Sequence, residues 1–517
     1  MHALDRGSIL RALILVGSVS MAACTSIKPR PELPIVIAIP PGVAAALDRA
    51  TVSEEARHPG QSAFRLVIEG TEAFVTRVQS ARMAERSLDV QTYIWHDDLT
   101  GRYLARTLLD AANRGVHVRL LLDDMDARAK NMGIAALATH PNIEIRLFNP
   151  FASRAGTLRL VGEGLGDFDR LNRRMHNKTW IADNRIAIAG GRNLGDEYFG
   201  ASEEVNFVDL DFAMVGPVVR DASVSFDKYW NSPSAYPIES LNEKPVSPEE
   251  IEAMSAKFAA AVRDAEQSRY AKALATDDAI KRLVAGDWTM QWSSTYQFIA
   301  DDPLKVTMQE YDAARTTVGS ALGPMLKETQ QGANVISPYF VPGKEGAKGL
   351  VALAQAQKHV RILTNSLVAN DVAAVHGGYS QYRKQLLEGG VELWELKPIA
   401  AERDNSSMFG ASGASLHTKA LSVDGRKLFV GSYNLDARST WLNCEQGVLV
   451  ESDVLARQFE AIFAKQTEGV HAWRVTLKDN DLDWTDGKES FDSDPKASWG
   501  RRFQAWLARV LNLEAQL

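Results

Sequence analysis

Apolar positions first recur at a structural period near Phe64. Between residues 64 and 84 they fall at helical spacing and predict an amphipathic helix. Ser87 to Trp95 is rich in apolar and β-favouring residues and reads as a strand. Asp97 to Gly101 supplies turn residues, a helix runs from about Arg102 to Asn113, and Arg114-Gly115 ends it. Val116 to Asp123 is the next strand. A strand–helix–strand unit of this kind predicts an α/β domain.

The second half repeats the order. Asn334 to Phe340 reads as a strand, Gly343 to Gly346 as a loop, Lys348 to Gln357 as a helix, and Val360 to Thr364 as a strand. A helix from Tyr379 to Glu388 ends at Gly389-Gly390, before a strand from Val391 to Leu396. The chain is therefore expected to be an internal duplication of two α/β lobes. Residues 240–285 are polar and helix-prone, with Pro248-Glu249-Glu250 as a helix start, and predict a helical connector. Near the C-terminus, Trp499, Phe503, Trp506, Val510, Leu513 and Leu517 form one stripe at helical spacing, with Arg501, Arg502 and Arg509 off it. Two readings fit: a helix lying on a bilayer, or one docked on the body.

The N-terminus follows another pattern. Arg6 and Arg11 precede an apolar run from Ala12 to Val19, and Ser20-Met21-Ala22-Ala23-Cys24 follows. The run is too short to span a bilayer and reads as a secretory leader. It resembles a lipoprotein signal in which Cys24 becomes the lipid anchor. That places the body in the cell envelope, membrane-attached and facing the periplasm. Residues 25–61, rich in Pro, Ala and charge, are expected to be a tether.

Composition narrows the picture. A length of 517 residues calls for two or three domains. Apolar residues at 45% and charged residues at 24% fit a globular body. A net charge of −7 weighs against bulk attraction to nucleic acid. The two cysteines, Cys24 and Cys444, make no disulfide framework, and no Cys/His cluster has metal spacing, so no metal or other cofactor is expected.

The chemistry lies in a motif that occurs twice. Arg174-Met175-His176-Asn177-Lys178 runs on to Asp183, and Ser415-Leu416-His417-Thr418-Lys419 runs on to Asp424. Apolar alternation after each lysine suggests a strand, with His and Lys on one face. An imidazole beside an ammonium suits a phosphate anion, the lysine giving charge and the histidine a nucleophile or a proton. Gly190-Gly191-Arg192-Asn193 and Gly431-Ser432-Tyr433-Asn434 follow at matching offsets, so Asn193 and Asn434 are candidate phosphate donors. An acid comes next in each copy, Asp209 and Glu445, expected to orient the imidazole of its copy. Asp183 and Asp424 complete the motif. Their odd offset from the histidines favours a structural part at a strand end or turn over direct chemistry. Tyr339, Tyr379 and His376 are candidates for lining a headgroup site.

With Gln91-Thr92-Tyr93-Ile94-Trp95, Gly190 to Phe199 and Gly431 to Ser439, these motifs resemble the phospholipase D superfamily from about Phe64 to Gln466. Within it the chain is similar to bacterial cardiolipin synthases, those of the C type above all. The resemblance implies two duplicated lobes, each a mixed β-sheet flanked by helices, packed with pseudo-twofold symmetry. The expected divisions are a leader at 1–24, the tether at 25–61, a first lobe at 62–238, a connector at 239–290, a second lobe at 291–470 and a tail at 471–517. It also implies a phosphohistidine intermediate without a divalent metal, with His176 as nucleophile, His417 as general acid, and Lys178, Lys419, Asn193 and Asn434 on the phosphate oxygens. The implied product is cardiolipin or a related phospholipid made from two phospholipids, with hydrolysis to phosphatidic acid as the alternative. Phosphatidylglycerol is the expected substrate and phosphatidylethanolamine a second candidate; no oligomeric state follows.

Overall fold

A computed structural model describes residues 27, 29–127, 137–152, 168–241, 247–284, 288–308, 312, 315–398 and 414–511. The leader with Cys24, and Leu513 and Leu517 of the C-terminal stripe, lie outside them.

Two large mixed sheets organise the described residues. The first runs β10 (Gln291–Ser293), β1 (Ser62–Val67), β8 (Asp211–Val215), β6 (Ile186–Gly190), β5 (Thr179–Ala182), β2 (Ser87–Thr92), β3 (His117–Asp123), β4 (Ile143–Phe148) and β9 (Ala235–Pro237). The second runs β11 (Tyr296–Ala300), β18 (Gln446–Glu451), β17 (Lys427–Gly431), β16 (Ala420–Val423), β12 (Gly332–Ile336), β13 (His359–Asn365), β14 (Glu392–Leu396), β19 (Ala472–Lys478), β20 (Asp481–Thr485) and β21 (Ser490–Phe491). The duplication is visible in direction as well as order. β2, β3 and β4 are parallel while β5, β6 and β8 are antiparallel to their neighbours. β12, β13 and β14, then β16, β17 and β18, repeat that arrangement. Such strands are covered on both faces, so they read as continuous apolar runs, as in the fully buried β6.

Beside a small cluster of Leu367, Ala373 and Ala505, three large clusters of buried side chains lie among the described residues. One lies on the outer face of the first sheet, under the helices Gly70–Met83 and Leu99–Asn113. Another lies on the outer face of the second sheet. The third is shared: Phe64, Ile181 and Phe212 of the first lobe pack in one cluster with Leu428, Val430 and Val448 of the second. The lobes are thus joined by a common core, and this places the ends of β5 and β16 near one another.

Several expectations change. Residues 62–67 form a strand between β10 and β8, and the predicted helix begins only at Gly70. Burial on both faces of β1 removes the two-residue period that would have marked it. Order also begins before Phe64. In the stretch expected as a tether, Ala46–Arg57 is a helix, and the chain before it is pinned to the first lobe. Ala38 N donates to Asp227 at 2.7 Å, and Val36 exchanges hydrogen bonds with Asn231. Hydrogen bonds carry much of the pinning, and of the apolar side chains before the helix Ile27 and Val36 pack on the core, too few to set a hydrophobic period. The connector forms helices at Pro248–Glu266, Arg269–Thr276 and Asp278–Val284, and the first opens with Ser247 and Glu250 capping each other's backbone. Gly343 to Gly346 is the start of the helix Gly343–Gln355, and the helix expected from Tyr379 is two short ones, Ala373–Ser380 and Arg383–Glu388.

Candidate active site

Each histidine lies just before a strand, not within one: β5 starts one residue after Lys178 and β16 one residue after Lys419. Both turns close locally in the same way. Lys178 Nζ donates to the carbonyl of His176 at 2.6 Å, and Lys419 Nζ to the carbonyl of His417 at 2.5 Å.

The histidines are held from the opposite lobe. A short parallel sheet pairs β7 (Asn206–Val208) with β15 (Ala414–Leu416), and an isolated bridge pairs Met175 with Cys444. In both places the residue before a histidine lies beside the residue before an acid. His176 N donates to Cys444 O at 2.8 Å, and His417 N to Val208 O at 2.9 Å. The exchange carries each acid onto the other lobe's imidazole. His176 Nδ1 lies 2.9 Å from Glu445 Oε2, and His417 Nδ1 lies 2.6 Å from Asp209 Oδ2. The expectation that each acid serves its own copy is therefore corrected: the pairs are crossed. His176 Nδ1 also faces the backbone oxygen of Ser432 at 3.1 Å. A carbonyl only accepts, so Nδ1 carries the proton and Nε2 is left with its lone pair.

The two pairs differ in detail. A Cβ on Gly191 would come within 2.2 Å of Asp209 Oδ1, so only glycine admits that short acid. At the matching position Ser432 donates to Glu445 Oε2 at 2.5 Å. Glu445 is further fixed by its backbone N–H, which donates to Asp301, and Asp301 in turn pairs with the buried Lys305 at 2.7 Å. Sequence reasoning passed over Asp301 and Lys305, which sit outside both motifs. It also passed over the rings around the imidazoles. Tyr93 meets His176 edge-on at 5.1 Å, while Tyr198 and Phe207 flank His417 at 5.1 and 5.3 Å. Their signal was proximity to the motif blocks that contain Tyr93 and Tyr198.

Electrostatics follow from burial. His176 and Lys178 are both buried, and burial lowers the imidazole to about 4 and the ammonium to about 7. Burial likewise brings Lys419 to about 8 and, with Lys419, Lys178 and His176 nearby, pushes His417 well below its ordinary value. Burial alone would raise Glu445. The facing His176, their hydrogen bond, Lys178 and Ser432 outweigh it and keep the carboxylate below its usual range. At Asp209 burial wins over Lys419 and Arg192, and the group is raised. The mutual influence of His176, His417, Lys178 and Lys419 puts all four in one site.

Asn193 and Asn434 are buried beside it. Asn193 Nδ2 donates to the Tyr198 hydroxyl at 2.8 Å, and its Oδ1 accepts from Ile94 N at 3.3 Å. An amide nitrogen has a second hydrogen to offer a ligand. Asp183 and Asp424 do not join the site. Each stands at the far end of its strand with positive φ, 50° and 55°. Asp183 accepts from Glu85, Arg86 and Ser87 N, and Asp424 from Gln330, Gln331 and Gly332 N. They cap the starts of β2 and β12. Tyr379 and His376 also lie elsewhere, buried with Arg383 and Asp494, because an ion-pair network holds them. Tyr339 stays close, its hydroxyl donating to Asp371, whose charge reaches Lys419. Among the described residues, His96, Asp98 and Glu197, and separately His376, Glu395 and Asp494, come close enough to hold a cation, and neither group contains the histidine, lysine or aspartate of either repeated motif.

Residues 78–230 and 322–467 match the family model described as cardiolipin synthase, PLD-like domain. The chain is 40% identical to cardiolipin synthase C of Escherichia coli strain K12 over 467 residues, 89% of this chain and 97% of that protein. It is 24% identical to a cardiolipin synthase of Oceanobacillus iheyensis over 80% of this chain and 72% of that one. The fold is shared with the crystal structure of phosphatidylserine synthase from Haemophilus influenzae Rd KW20. That similarity has a TM-score of 0.56 at 13% identity and covers 91% of this chain and 98% of the other.

Proposed function

The chain belongs to the PLD-like cardiolipin synthase family, and from that premise we propose that it is a phosphatidyltransferase making cardiolipin from two phospholipids. The observation that carries the reading is the crossed pair of imidazoles, each held at Nδ1 by an acid of the other lobe, with two buried lysines in the same site.

In the first step, His176 Nε2 attacks phosphorus, a P–N bond forms, and the P–O bond to the leaving alcohol breaks. His417 gives that alcohol its proton. In the second step, the hydroxyl of the acceptor lipid attacks phosphorus, His417 takes its proton, and the P–N bond breaks. Glu445 supports His176 as nucleophile, because it is held as a carboxylate and stabilises the positive charge that the ring acquires. Asp209 does the same for His417 when it is protonated. An incoming phosphodiester anion favours that protonation, since it adds negative charge beside a ring otherwise held neutral. Lys178, Lys419, Asn193 and Asn434 neutralise the equatorial oxygens.

The family acts on phospholipids; phosphatidylglycerol is proposed as substrate, with phosphatidylethanolamine as the second candidate. The location is likewise a proposal. The leader ending at Cys24 supports a lipid-anchored protein of the cell envelope facing the periplasm. No helix among the described residues is long and apolar enough to cross a membrane.

The test is purified protein with labelled phosphatidylglycerol, alone and with phosphatidylethanolamine, followed by lipid analysis. The expected product is cardiolipin with minor phosphatidic acid, and His176→Ala or His417→Ala removes both. Phosphatidic acid as the dominant product at every lipid ratio would show a hydrolase instead.

A further inference from the structure

The helix Trp499–Val510 docks on the second lobe by one narrow face. Ala505 and Ala508 are buried, and Gly377 admits the helix so closely that a Cβ there would lie 2.3 Å from Ala505 O. The opposite face is left uncovered. Trp499 is 79% exposed, Val510 57%, Trp506 48% and Phe503 43%. Trp499 stacks on Phe503 at 5.4 Å, and Phe503 on Trp506 at 5.7 Å, so the three rings form one ladder. Even stacked, the rings leave large faces open, and the apolar surface they present is unusual for a solvated helix.

Charge identifies the occupant. The chain as a whole carries −7, yet this helix has Arg501, Arg502 and Arg509 and no acidic residue. Tryptophan beside arginine suits the boundary between acyl chains and anionic headgroups. The helix is also coupled to the site. Arg501 Nη1 donates to the carbonyls of Leu367, Val368 and Asn370 at 2.8, 3.1 and 2.8 Å. The same loop accepts from Ser415 of β15 through Ala369 O at 2.9 Å, two residues before His417. It continues to Asp371, whose charge bears on Lys419.

We infer that the aromatic face of this helix docks on an anionic phospholipid bilayer and, through Arg501, holds the loop 367–371 beside His417 at the lipid surface. This rests on the phospholipid reading of the site. Docking supplies bilayer-embedded substrate to the site and leaves the chemistry itself unchanged.

The experiment uses the full chain on vesicles of phosphatidylcholine with a minority of phosphatidylglycerol. Brominated lipid is added to quench nearby tryptophans. Quenching assigned by difference against W499F/W506F is expected to show both rings at the interface, and the comparison cancels whatever else holds the chain to the vesicle. The variant W499S/F503S/W506S is expected to lose about tenfold or more in turnover on vesicles while keeping its turnover on monomeric short-chain phosphatidylglycerol. Quenching without turnover on either substrate by the parent would support docking and sink the transferase reading. No quenching difference, or equal loss on both substrates, would overturn the docking. So would a fall in oligomeric mass in the triple variant without a quenching difference, which would assign the face to a second copy.

Discussion

At the scale of single residues, the site runs on bases kept from their ordinary protonation by burial. The reaction needs His176 as a free base, true above about 4, and Lys178 as a cation, true below about 7. The pH profile of kcat, read in the bound complex where the substrate anion favours a protonated His417, is therefore expected to rise on the acid side as His176 loses its proton and to fall on the alkaline side as Lys178 loses its charge. Lys178→Arg keeps its charge at all working pH values and should move the alkaline limb up toward the Lys419 value of about 8. An unmoved limb would remove Lys178 from the charge balance. Stability runs in the opposite sense on that limb. Lys178 titrates lower folded than at its ordinary 10.5, so the unfolded chain binds more protons between the two values. Its penalty is complete below about pH 7 and fades as pH rises. The histidines, lysines, asparagines and acids could be read from the sequence because each appears twice at one spacing. The crossing of Asp209 and Glu445 could not, since linear order says nothing about which lobe an acid faces.

At the scale of elements, the repeated spacing of the motif separates two jobs. Histidine and lysine precede the strand, while Asp183 and Asp424 follow it and cap the start of the neighbouring strand. Asp183→Ala leaves three backbone N–H groups without their acceptor, which should cost on the order of 3 kcal/mol in denaturant unfolding while leaving kcat of the folded protein nearly intact. If stability holds and kcat falls by orders of magnitude, Asp183 belongs to the chemistry. Strands flanked by turn residues were readable, as β3 and β13 show to within a residue or two of their observed bounds. β1 was hidden because its burial on both faces erased its period, and the helix Ala46–Arg57 because its buried face is Leu47, Asp48 and Thr51, which makes no apolar stripe.

At the scale of the whole molecule, the shared core makes the lobes one folding unit. Phe64, Phe212, Leu428 and Val448 lie in a single cluster, so opening one lobe exposes the other's interior. Calorimetry is expected to show one transition whose van't Hoff and calorimetric enthalpies agree, and two resolved transitions would contradict this. The crossed register has a consequence for descent. Either half, taken as a chain of its own, holds a histidine without its acid and an acid without its histidine. Two identical copies related by a twofold axis would complete each other, which is the arrangement the fused chain retains. A change to the acid of one half is therefore inherited as a change in the histidine of the other, and the halves can drift apart only as crosswise partners.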